Sequence, residues 1–294
     1  MTPPKRHASE QDIAKALADL GRVSHTLLIP LVARASGGHL FPRYHPHDQY
    51  AQYLSHLLHS QVRSFVGDWA TVLNILWRTW LIKQAGESFF ERHPQAAGVN
   101  LGAGLSYYFQ WLDNQQNRWV DLDLDPVIQL RKMVFGHTSA HHQQRAFNIK
   151  HGQWWNEAGL PKRTHRQPVF LICEGVSMYL TPEQMRAMVT HIAEHAPHGS
   201  ELVLDYISTV GVGKAHMHPS VGATGSEFRW GCEHIIDVCE SHPRLKLMAE
   251  HSVAEAYGPG ASWMEKVLEP WLGGPMYGLA HFVIQDRSGR ATRT

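Results

Sequence analysis

The sequence predicts an α/β fold with a parallel sheet, because short apolar segments alternate with helical stretches from residue 97 onward. A glycine turn after the first segment and an acid at the end of the second point to the same fold. The predicted strands are four to eight residues long, and most of them are apolar. They are Gly98–Leu101, Arg118–Leu122, Gln144–Asn148, Val169–Cys173, Glu201–Tyr206, Leu245–Glu250 and Leu279–Gln285.

The first predicted strand ends in a glycine turn that contains Gly102, Ala103 and Gly104. Glycine at two of these positions removes side chains where the backbone turns tightly and where a ligand comes close. Asp123 ends the second strand 21 positions after Gly102, which is about the spacing at which a second-strand acid meets a ribose. The pattern predicts a site for a cofactor that carries a nucleoside.

The residue that follows this turn argues against a dinucleotide. A dinucleotide site needs a third small residue, but Tyr107 holds that position and Tyr108 is next to it. Two aromatic side chains crowd the place where phosphates would lie, which disfavours a dehydrogenase. A cofactor without phosphate, such as S-adenosylmethionine, suits the turn better.

Residues 1–95 have mostly helical spacing. Ser9 is placed to cap a short first helix, and helical spacing returns at 50–65 and at 69–90. The stretch from Arg22 to Asp48 contains three prolines and a Gly-Gly pair, so it is predicted to be a loop.

Two further helix starts follow predicted strands. Asp125 is predicted to cap a helix that begins at Pro126, and Thr181 to cap one that begins at Pro182, with Gln184 closing a capping box. Both starts lie at the carboxyl ends of strands, where ligands bind in open α/β sheets.

Composition limits the classes of function. The chain has 294 residues and a net charge of +1 from 27 basic and 26 acidic residues, without the basic clusters of a nucleic-acid-binding protein. No apolar run approaches the roughly 20 residues that span a bilayer, and residues 1–10 lack the apolar segment of a secretory signal. Three cysteines indicate reduced thiols. We therefore expect a cytoplasmic protein that binds neither membrane nor nucleic acid.

The 22 histidines are numerous, and most are expected to lie on surfaces and in loops. His191, Glu194 and His195 fit the H-x-x-E-H pattern of some zinc peptidases, and a spacing of four places both imidazoles on one helix face. This helix occupies a crossover between the fourth and fifth strands, and chance matches are expected among so many histidines. A metallopeptidase is therefore disfavoured, and no metal is expected.

Several local patterns together resemble the leucine carboxyl methyltransferase family, which includes bacterial O-methyltransferases of polyketide and related pathways. The matching segments, in chain order, are Arg78-Thr79, the glycine turn, Asp123-Leu124-Asp125-Pro126-Val127-Ile128-Gln129-Leu130-Arg131, Asn148-Ile149 with Trp154, and Cys173-Glu174-Gly175-Val176-Ser177-Met178-Tyr179-Leu180-Thr181. The match runs from about residue 76 to residue 285. Ser106, Tyr107 and Tyr108 stand where the family has Asp-Thr-Arg, and Asn148 replaces an acid.

The resemblance implies a class I methyltransferase fold, with a seven-stranded, mostly parallel sheet and helices on both faces. Residues 1–70 would form a helical cover within the same globule, and residues 71–294 the S-adenosylmethionine-binding domain. The residues implied to bind the cofactor are Arg78 at the methionine carboxylate, Gly102, Ala103 and Gly104 through the backbone, Asp123 and Leu124 at the ribose, Asn148 and Ile149 at the adenine, and Glu174 and Gly175 at the amino group. Tyr179 would line the substrate side as the catalytic candidate, and Asp205 is a weaker candidate.

The function implied is methyl transfer from S-adenosylmethionine to a carboxylate or hydroxyl of a small metabolite. A carboxylate is ionised at neutral pH and needs no base, whereas an alcohol or phenol would need one, for which a histidine is the expected side chain. The alternatives are a methyltransferase of protein C-terminal carboxylates and a cofactor-binding module that transfers no methyl group.

Overall fold

A seven-stranded sheet organises the molecule, with the strand order β3-β2-β1-β4-β5-β7-β6. The computed structural model describes residues 8–20, 22–58, 68–136, 140–148, 154–222, 224–272 and 274–286. The strands are β1 (Ala97–Leu101), β2 (Arg118–Asp123), β3 (His142–Ala146), β4 (Val169–Cys173), β5 (Ser200–Ile207), β6 (Leu245–Ser252) and β7 (Tyr277–Ile284). Strands β1 to β5 pair in parallel, and β7 runs antiparallel to both β5 and β6. The predicted mostly parallel sheet is confirmed.

The third strand lies two residues earlier than predicted. β3 pairs with β2 from Trp119↔His142 to Asp123↔Ala146, whereas the sequence had suggested Gln144–Asn148. This edge strand is polar throughout, so neither hydrophobic alternation nor an apolar run marked its bounds. Pairing with β2 sets the register instead.

Helices cover both faces of the sheet. They are α1 (Glu10–Asp19), α2 (Arg22–Ser36), α3 (Gln49–Leu57), α4 (Trp69–Arg92), α5 (Phe109–Leu112), α6 (Asp125–Phe135), α7 (Trp154–Glu157), α8 (Pro182–His195), α9 (Pro219–Gly222), α10 (Ala254–Tyr257) and α11 (Pro259–Leu272). Side chains alternate along β4, so that Phe170 and Ile172 join one core with α4 and α6. Leu171 and Cys173 join the opposite core with α7 and α8.

The stretch from Arg22 to Asp48, predicted as a loop, contains a four-turn helix, and that prediction was wrong. Helix α2 spans Arg22–Ser36 with Pro30 inside it. Leu28, Leu31 and Val32 of this helix are buried. Their burial in the core offsets the hydrogen bond that the proline removes from the helix.

One of the predicted capping residues of the later helices is confirmed and another is corrected. Thr181 accepts from Gln184 N, and the Gln184 side chain accepts from Thr181 N, as the capping box requires. Asp125, in contrast, is the first residue of α6 rather than its cap. Leu124 is the N-cap and provides no side-chain bond, so Asp125 acts as a first-turn acid that favours the helix dipole.

Two expectations from composition can be set beside the structure. Among the described residues, no helix has both the length and the apolar character that crossing a bilayer requires. Cys173, Cys232 and Cys239 are all free thiols. The division of the chain at residue 70 stays a prediction, and residues 59–67 lie outside the described part.

Candidate functional site

A cavity of about 610 Å³ opens at the carboxyl ends of β1, β4 and β5. Its floor is formed by the glycine turn at 102–106 and by Glu174 and Gly175 after β4. One wall comes from α4, and the roof comes from residues 26–34 of α2. This is the edge of the sheet at which the sequence predicted a ligand.

The glycine turn needs its glycines for two reasons. Gly102 and Gly104 have φ angles of 67° and 50°, which lie in the left-handed region that glycine favours. A Cβ on Gly102 would lie 2.3 Å from Val176 Cγ2, and one on Gly104 would lie 2.9 Å from Leu27 Cδ2. The turn therefore presents backbone rather than side chains to the cavity, as predicted from the sequence.

A buried arginine of α6 holds this turn from behind; the sequence matched it to a family motif but predicted no role for it. Arg131 is fully buried and donates through Nη1 to the carbonyls of Gly104 and Ser106, each at 2.7 Å. Its Nη2 donates to Asp121, whose Oδ2 also lies 2.6 Å from His142 Nε2. Burial would raise the pKa of Asp121, but Arg131 and His142 outweigh it and lower that pKa. A charged residue on the apolar face of α6 was the signal available in the sequence.

Arg78 is the centre of the charged cluster on the cavity floor. Its Nε donates to Glu174 Oε1 at 2.7 Å, and its Nη1 donates to Asp205 Oδ2 at 2.8 Å. Tyr277 OH lies 2.7 Å from Nη1 and donates to Asp205 at 2.6 Å. Gly175 N donates to the other oxygen of Asp205 at 2.8 Å. The predicted residues Arg78, Glu174, Gly175 and Asp205 therefore meet at one place.

Within this cluster, burial and the opposite charges nearby act in opposite directions on the pKa of Asp205 and on that of Arg78. Burial raises the pKa of Asp205, although Arg78 opposes the shift. Burial alone would lower the pKa of Arg78, but Tyr277, Glu174 and Asp205 raise it well above its ordinary value. Arg78 Nη2 makes no hydrogen bond to any described residue, and Arg78 lines the cavity. The guanidinium therefore keeps a donor available for a ligand.

The tyrosines after the glycine turn are buried, and one of them completes the charged cluster. Tyr108 OH donates to Glu174 Oε2 at 2.9 Å, so both oxygens of that carboxylate are hydrogen-bonded. Tyr107 stacks on Phe135 with ring centroids 4.8 Å apart. Neither tyrosine lines the cavity. Of the three residues that depart from the family pattern, Tyr108 supplies a partner for Glu174 and Ser106 lines the cavity.

A second arginine at the cavity comes from the roof, and sequence reasoning missed it. Arg34 Nε donates to Asp48 Oδ2 at 2.9 Å, and its Nη2 donates to the carbonyl of Leu105 at 3.0 Å. The Nη1 atom is buried and has no partner among the described residues, while Arg34 lines the cavity. A basic residue in the apolar stretch 27–35 was the only sequence signal.

Asp123 lies at the end of β2, next to the glycine turn. Its Oδ2 accepts from Gly104 N at 2.7 Å, and its Oδ1 accepts from Leu124 N at 2.7 Å. Burial raises the pKa of this carboxyl. Phe147 N donates to the Asp123 carbonyl at 2.7 Å, so the chain leaves β3 beside Asp123 and Asn148 follows there.

The predicted ribose and adenine contacts are only partly described. Asp123, Leu124 and Asn148 are not among the residues that line the described cavity. Asn148 is half-buried, and Ile149 lies outside the described residues. The assignment of these four residues to the adenosyl group therefore stays a prediction.

The outer half of the cavity is mainly apolar and carries a few polar groups. Tyr179 lines it, its ring lies 5.8 Å from that of Phe228, and burial raises its pKa to about 12. Lys214 lies at the exposed rim. His218 Nδ1 accepts from Val221 N at 3.2 Å, which leaves Nε2 to carry the proton of the neutral ring.

Polar groups of the cavity floor and roof fit an amino-acid tail such as that of S-adenosylmethionine. Arg78 Nη2 on the floor and the orphaned Nη1 of Arg34 in the roof suit a planar carboxylate, and Glu174 suits an ammonium group. The glycine turn presents no side chains at Gly102 and Gly104. The lining residues therefore fit the charges of the cofactor's tail.

Comparisons with known proteins agree with this geometry. A family model described as leucine carboxyl methyltransferase matches residues 30–193. The tetracenomycin polyketide synthesis O-methyltransferase TcmP of Streptomyces glaucescens is 24% identical over 205 residues, which cover 69% of this chain and 72% of that protein. The S-adenosyl-L-methionine-dependent methyltransferase dpfgK of Gibberella zeae is 25% identical over 202 residues, 64% of this chain and 66% of that protein.

The fold is also found in a solved structure. A DUF574 family protein from Streptomyces avermitilis MA-4680 superposes with a TM-score of 0.51 at 15% identity, over 80% of this chain and 89% of that one. The sheet order and its antiparallel β7 are those of the class I methyltransferase fold. The family model covers more than half of the chain, and its cofactor is the one that the cavity floor fits. The chain therefore belongs to the leucine carboxyl methyltransferase family and is an S-adenosylmethionine-dependent methyltransferase.

Proposed function

We propose that this enzyme is an O-methyltransferase whose acceptor is the carboxylate of a small, largely apolar metabolite. The observation that supports this proposal is Lys214 at the exposed rim of the cavity. The other two cationic lining residues, Arg34 and Arg78, are paired with Asp48, Glu174 and Asp205 and are assigned to the cofactor, whereas no ion pair is found for Lys214 among the described residues. A cationic side chain at the entrance favours an anionic acceptor. The name of TcmP supports oxygen as the methylated atom.

On the cofactor side, Arg78 Nη2 and Arg34 Nη1 bind the methionine carboxylate from two directions. Glu174, fixed by Arg78 and Tyr108, accepts from the amino group. Because both arginines are buried, their hydrogen bonds to a carboxylate are stronger than exposed ones. Bound S-adenosylmethionine supplies an activated methyl group, so the protein needs only to align the acceptor and exclude water.

Backbone and polar groups along the glycine turn receive the rest of the cofactor. Gly102, Ala103, Gly104 and Gly175 line the cavity and would lie against the cofactor. Asp123 would accept from the ribose hydroxyls through the lone pairs that Gly104 N and Leu124 N leave unused. Asn148 would contact the adenine, whereas Ile149 lies outside the described residues.

On the acceptor side, Tyr179 positions the substrate rather than removing a proton. Its pKa of about 12 keeps the phenol protonated at neutral pH, so it donates a hydrogen bond to the acceptor. Lys214 at the rim attracts the acceptor's negative charge. A carboxylate is ionised at neutral pH and attacks without a base.

A hydroxyl acceptor is the second candidate, and His218 is the observation that favours it. Among the described residues, it is the histidine that lines the cavity. As a base it would have to release its bond from Val221 N or change tautomer, because Nδ1 is already an acceptor. Because a carboxylate acceptor needs no such change at His218, the hydroxyl acceptor is the second candidate.

The chemistry of the product tests the proposal. The enzyme is incubated with methyl-labelled S-adenosylmethionine and a panel of aromatic and aliphatic acids, phenols, alcohols and a peptide with a free C-terminal carboxylate. A product methyl group that alkali releases as methanol identifies an ester. A label that resists alkali indicates an ether and supports the hydroxyl candidate. Transfer only to the peptide would contradict the small-molecule acceptor, and no transfer under binding conditions would identify a cofactor-binding module.

A variant of the rim lysine tests the charge argument separately. Lys214→Met is expected to raise the KM for the acid several-fold while leaving the affinity for S-adenosylhomocysteine unchanged, because Lys214 attracts the acceptor only. Lys246→Met, on the exposed edge strand β6, serves as the control. An unchanged KM in Lys214→Met would contradict the role of the cationic rim.

A further inference from the structure

His191, Glu194 and His195 form a compact group in the last turn of α8, away from the methyltransferase cavity. One potential ligand atom from each residue lies within 4.8 Å of those of the other two. The two imidazole rings lie 4.1 Å apart between centroids, at an interplanar angle of 32°. None of the three residues lines the cavity. The H-x-x-E-H pattern of the sequence therefore corresponds to a real cluster of side chains.

The hydrogen bond of His195 leaves the nitrogen that a metal needs. His195 Nδ1 lies 2.9 Å from the carbonyl oxygen of His191. A carbonyl oxygen can only accept, so Nδ1 carries the proton and the neutral ring has its lone pair on Nε2. A ring N–H bonded to a backbone carbonyl is the outer-shell arrangement found behind metal-bound histidines.

His191 supplies a second, independent observation. Its Nε2 is buried and has no hydrogen-bond partner among the described residues. A buried polar atom without a hydrogen-bond partner lowers the stability of a protein by about 1–3 kcal/mol, and a bound ligand is one way to supply the missing partner. The ring of Trp154 lies 5.2 Å from that of His191, and the ring of Trp155 lies 6.5 Å from that of His195. The two tryptophans therefore fix the imidazoles from the core side.

Glu194 completes the group from the solvent side. Its side chain is exposed, and one of its carboxylate oxygens lies within 4.8 Å of a ring nitrogen of each histidine. Two imidazole nitrogens and one carboxylate oxygen are a donor set that Zn²⁺ accepts, with water in the fourth position. Calcium and magnesium would prefer oxygen ligands throughout.

We propose that His191, Glu194 and His195 form a binding site for a divalent transition-metal ion, with Zn²⁺ as the first candidate. The ion joins the i, i+3 and i+4 positions of α8 and so fastens the C-terminal turn of that helix. The site lies on the crossover between β4 and β5 and has no part in methyl transfer. This proposal does not depend on which acceptor is methylated, and it assigns no peptidase activity to the protein.

Metal titration of the whole enzyme tests this site. Protein freed of metal with a chelator is titrated with Zn²⁺ by calorimetry, and with Co²⁺ by visible absorption. We expect one Zn²⁺ per chain above the background of weaker histidine sites, and a Co²⁺ spectrum that reports nitrogen and oxygen ligands. Bound metal is also expected to raise the melting temperature.

Two variants that avoid the buried ring make the test specific. His195→Ala and Glu194→Gln are expected to weaken this Zn²⁺ binding at least tenfold. His234→Ala changes an exposed histidine elsewhere and serves as the control, with affinity unchanged. The proposal is overturned if the wild type shows no site above background, or if all three variants bind Zn²⁺ as the wild type does. Methyl transfer is unaffected in either case, which separates this result from the proposed function.

Discussion

At the scale of single residues, Asp123 and Asp125 make a natural pair for testing the cofactor assignment. Asp123→Asn removes the charge that is proposed to accept from the ribose while keeping an oxygen for Gly104 N. We expect the dissociation constant for S-adenosylhomocysteine to rise about 5- to 150-fold, which corresponds to about 1–3 kcal/mol. Calorimetry measures the affinity. Asp125→Asn, two positions on and exposed, is expected to leave it unchanged, and equal affinities in both variants would contradict the ribose contact.

Asp121 and Arg131 make a second prediction at the residue scale, because both are fully buried. Asp121→Asn leaves the guanidinium of Arg131 without its counter-charge, so we expect a loss of about 3–5 kcal/mol in the free energy of unfolding. Urea denaturation at pH 7 measures it. Loss of the Asp121 charge should also make the glycine turn more mobile, since Arg131 donates to two carbonyl oxygens of that turn.

The same pair fixes the sign of a pH effect. The pKa of Asp121 is lowered from its ordinary value of 3.8 in the folded state. Its stabilising contribution is therefore complete above that value and is lost as pH falls through the lowered pKa. The difference in unfolding free energy between the wild type and Asp121→Asn should shrink below about pH 4. A difference that stays constant down to pH 2 would contradict the assignment.

At the scale of elements, α8 begins directly after the loop that carries Glu174 and Tyr179. Its capping box joins Thr181 and Gln184. Thr181→Ala removes the side-chain acceptor for Gln184 N and should cost about 1 kcal/mol of stability. Thr181→Ser keeps the hydroxyl and should restore most of it. Urea unfolding of the wild type, Thr181→Ala and Thr181→Ser at pH 7 measures these differences. Equal unfolding midpoints in all three proteins would show that the cap contributes nothing to stability.

The elements also show what sequence patterns can and cannot predict. β4 was predicted at its observed bounds because five apolar residues stand between turn signals, and a central strand is buried on both faces. α2 was missed because prolines and glycines are local signals, whereas Leu31 and Val32 are helical through burial against elements distant in sequence. β3 was misplaced because a polar edge strand takes its register from its neighbour.

At the scale of the whole molecule, the cavity roof comes from residues 26–34 and its floor from residues 102–106 and 174–175, which meet only in three dimensions. The motifs indicated Arg78, Glu174 and the glycine turn. Arg34 was not predicted, and Arg131 was matched to a family motif without a role, since both roles depend on atoms such as the carbonyls of Leu105 and Gly104, which no spacing rule connects to them.

Because both floor and roof are proposed to contact the cofactor, we expect its binding to stabilise the two together. S-adenosylhomocysteine at 100 times its dissociation constant should add about 2.7 kcal/mol to the free energy of unfolding. Hydrogen exchange should slow in residues 28–35 of α2 as well as in the glycine turn, while β6 serves as a distant reference. Protection confined to the turn would contradict a contact between cofactor and Arg34.

The bond from Arg34 to the Leu105 carbonyl has a consequence for shortened forms of this enzyme. A chain that started at residue 71 would keep the short motifs from Arg78 onward but lose residues 30–70 of the region that the family model matches, and with them the guanidinium that joins the glycine turn to α2. We expect such a fragment to have an open, weakly binding pocket, so α2 matters to the enzyme as much as the signature sequences do.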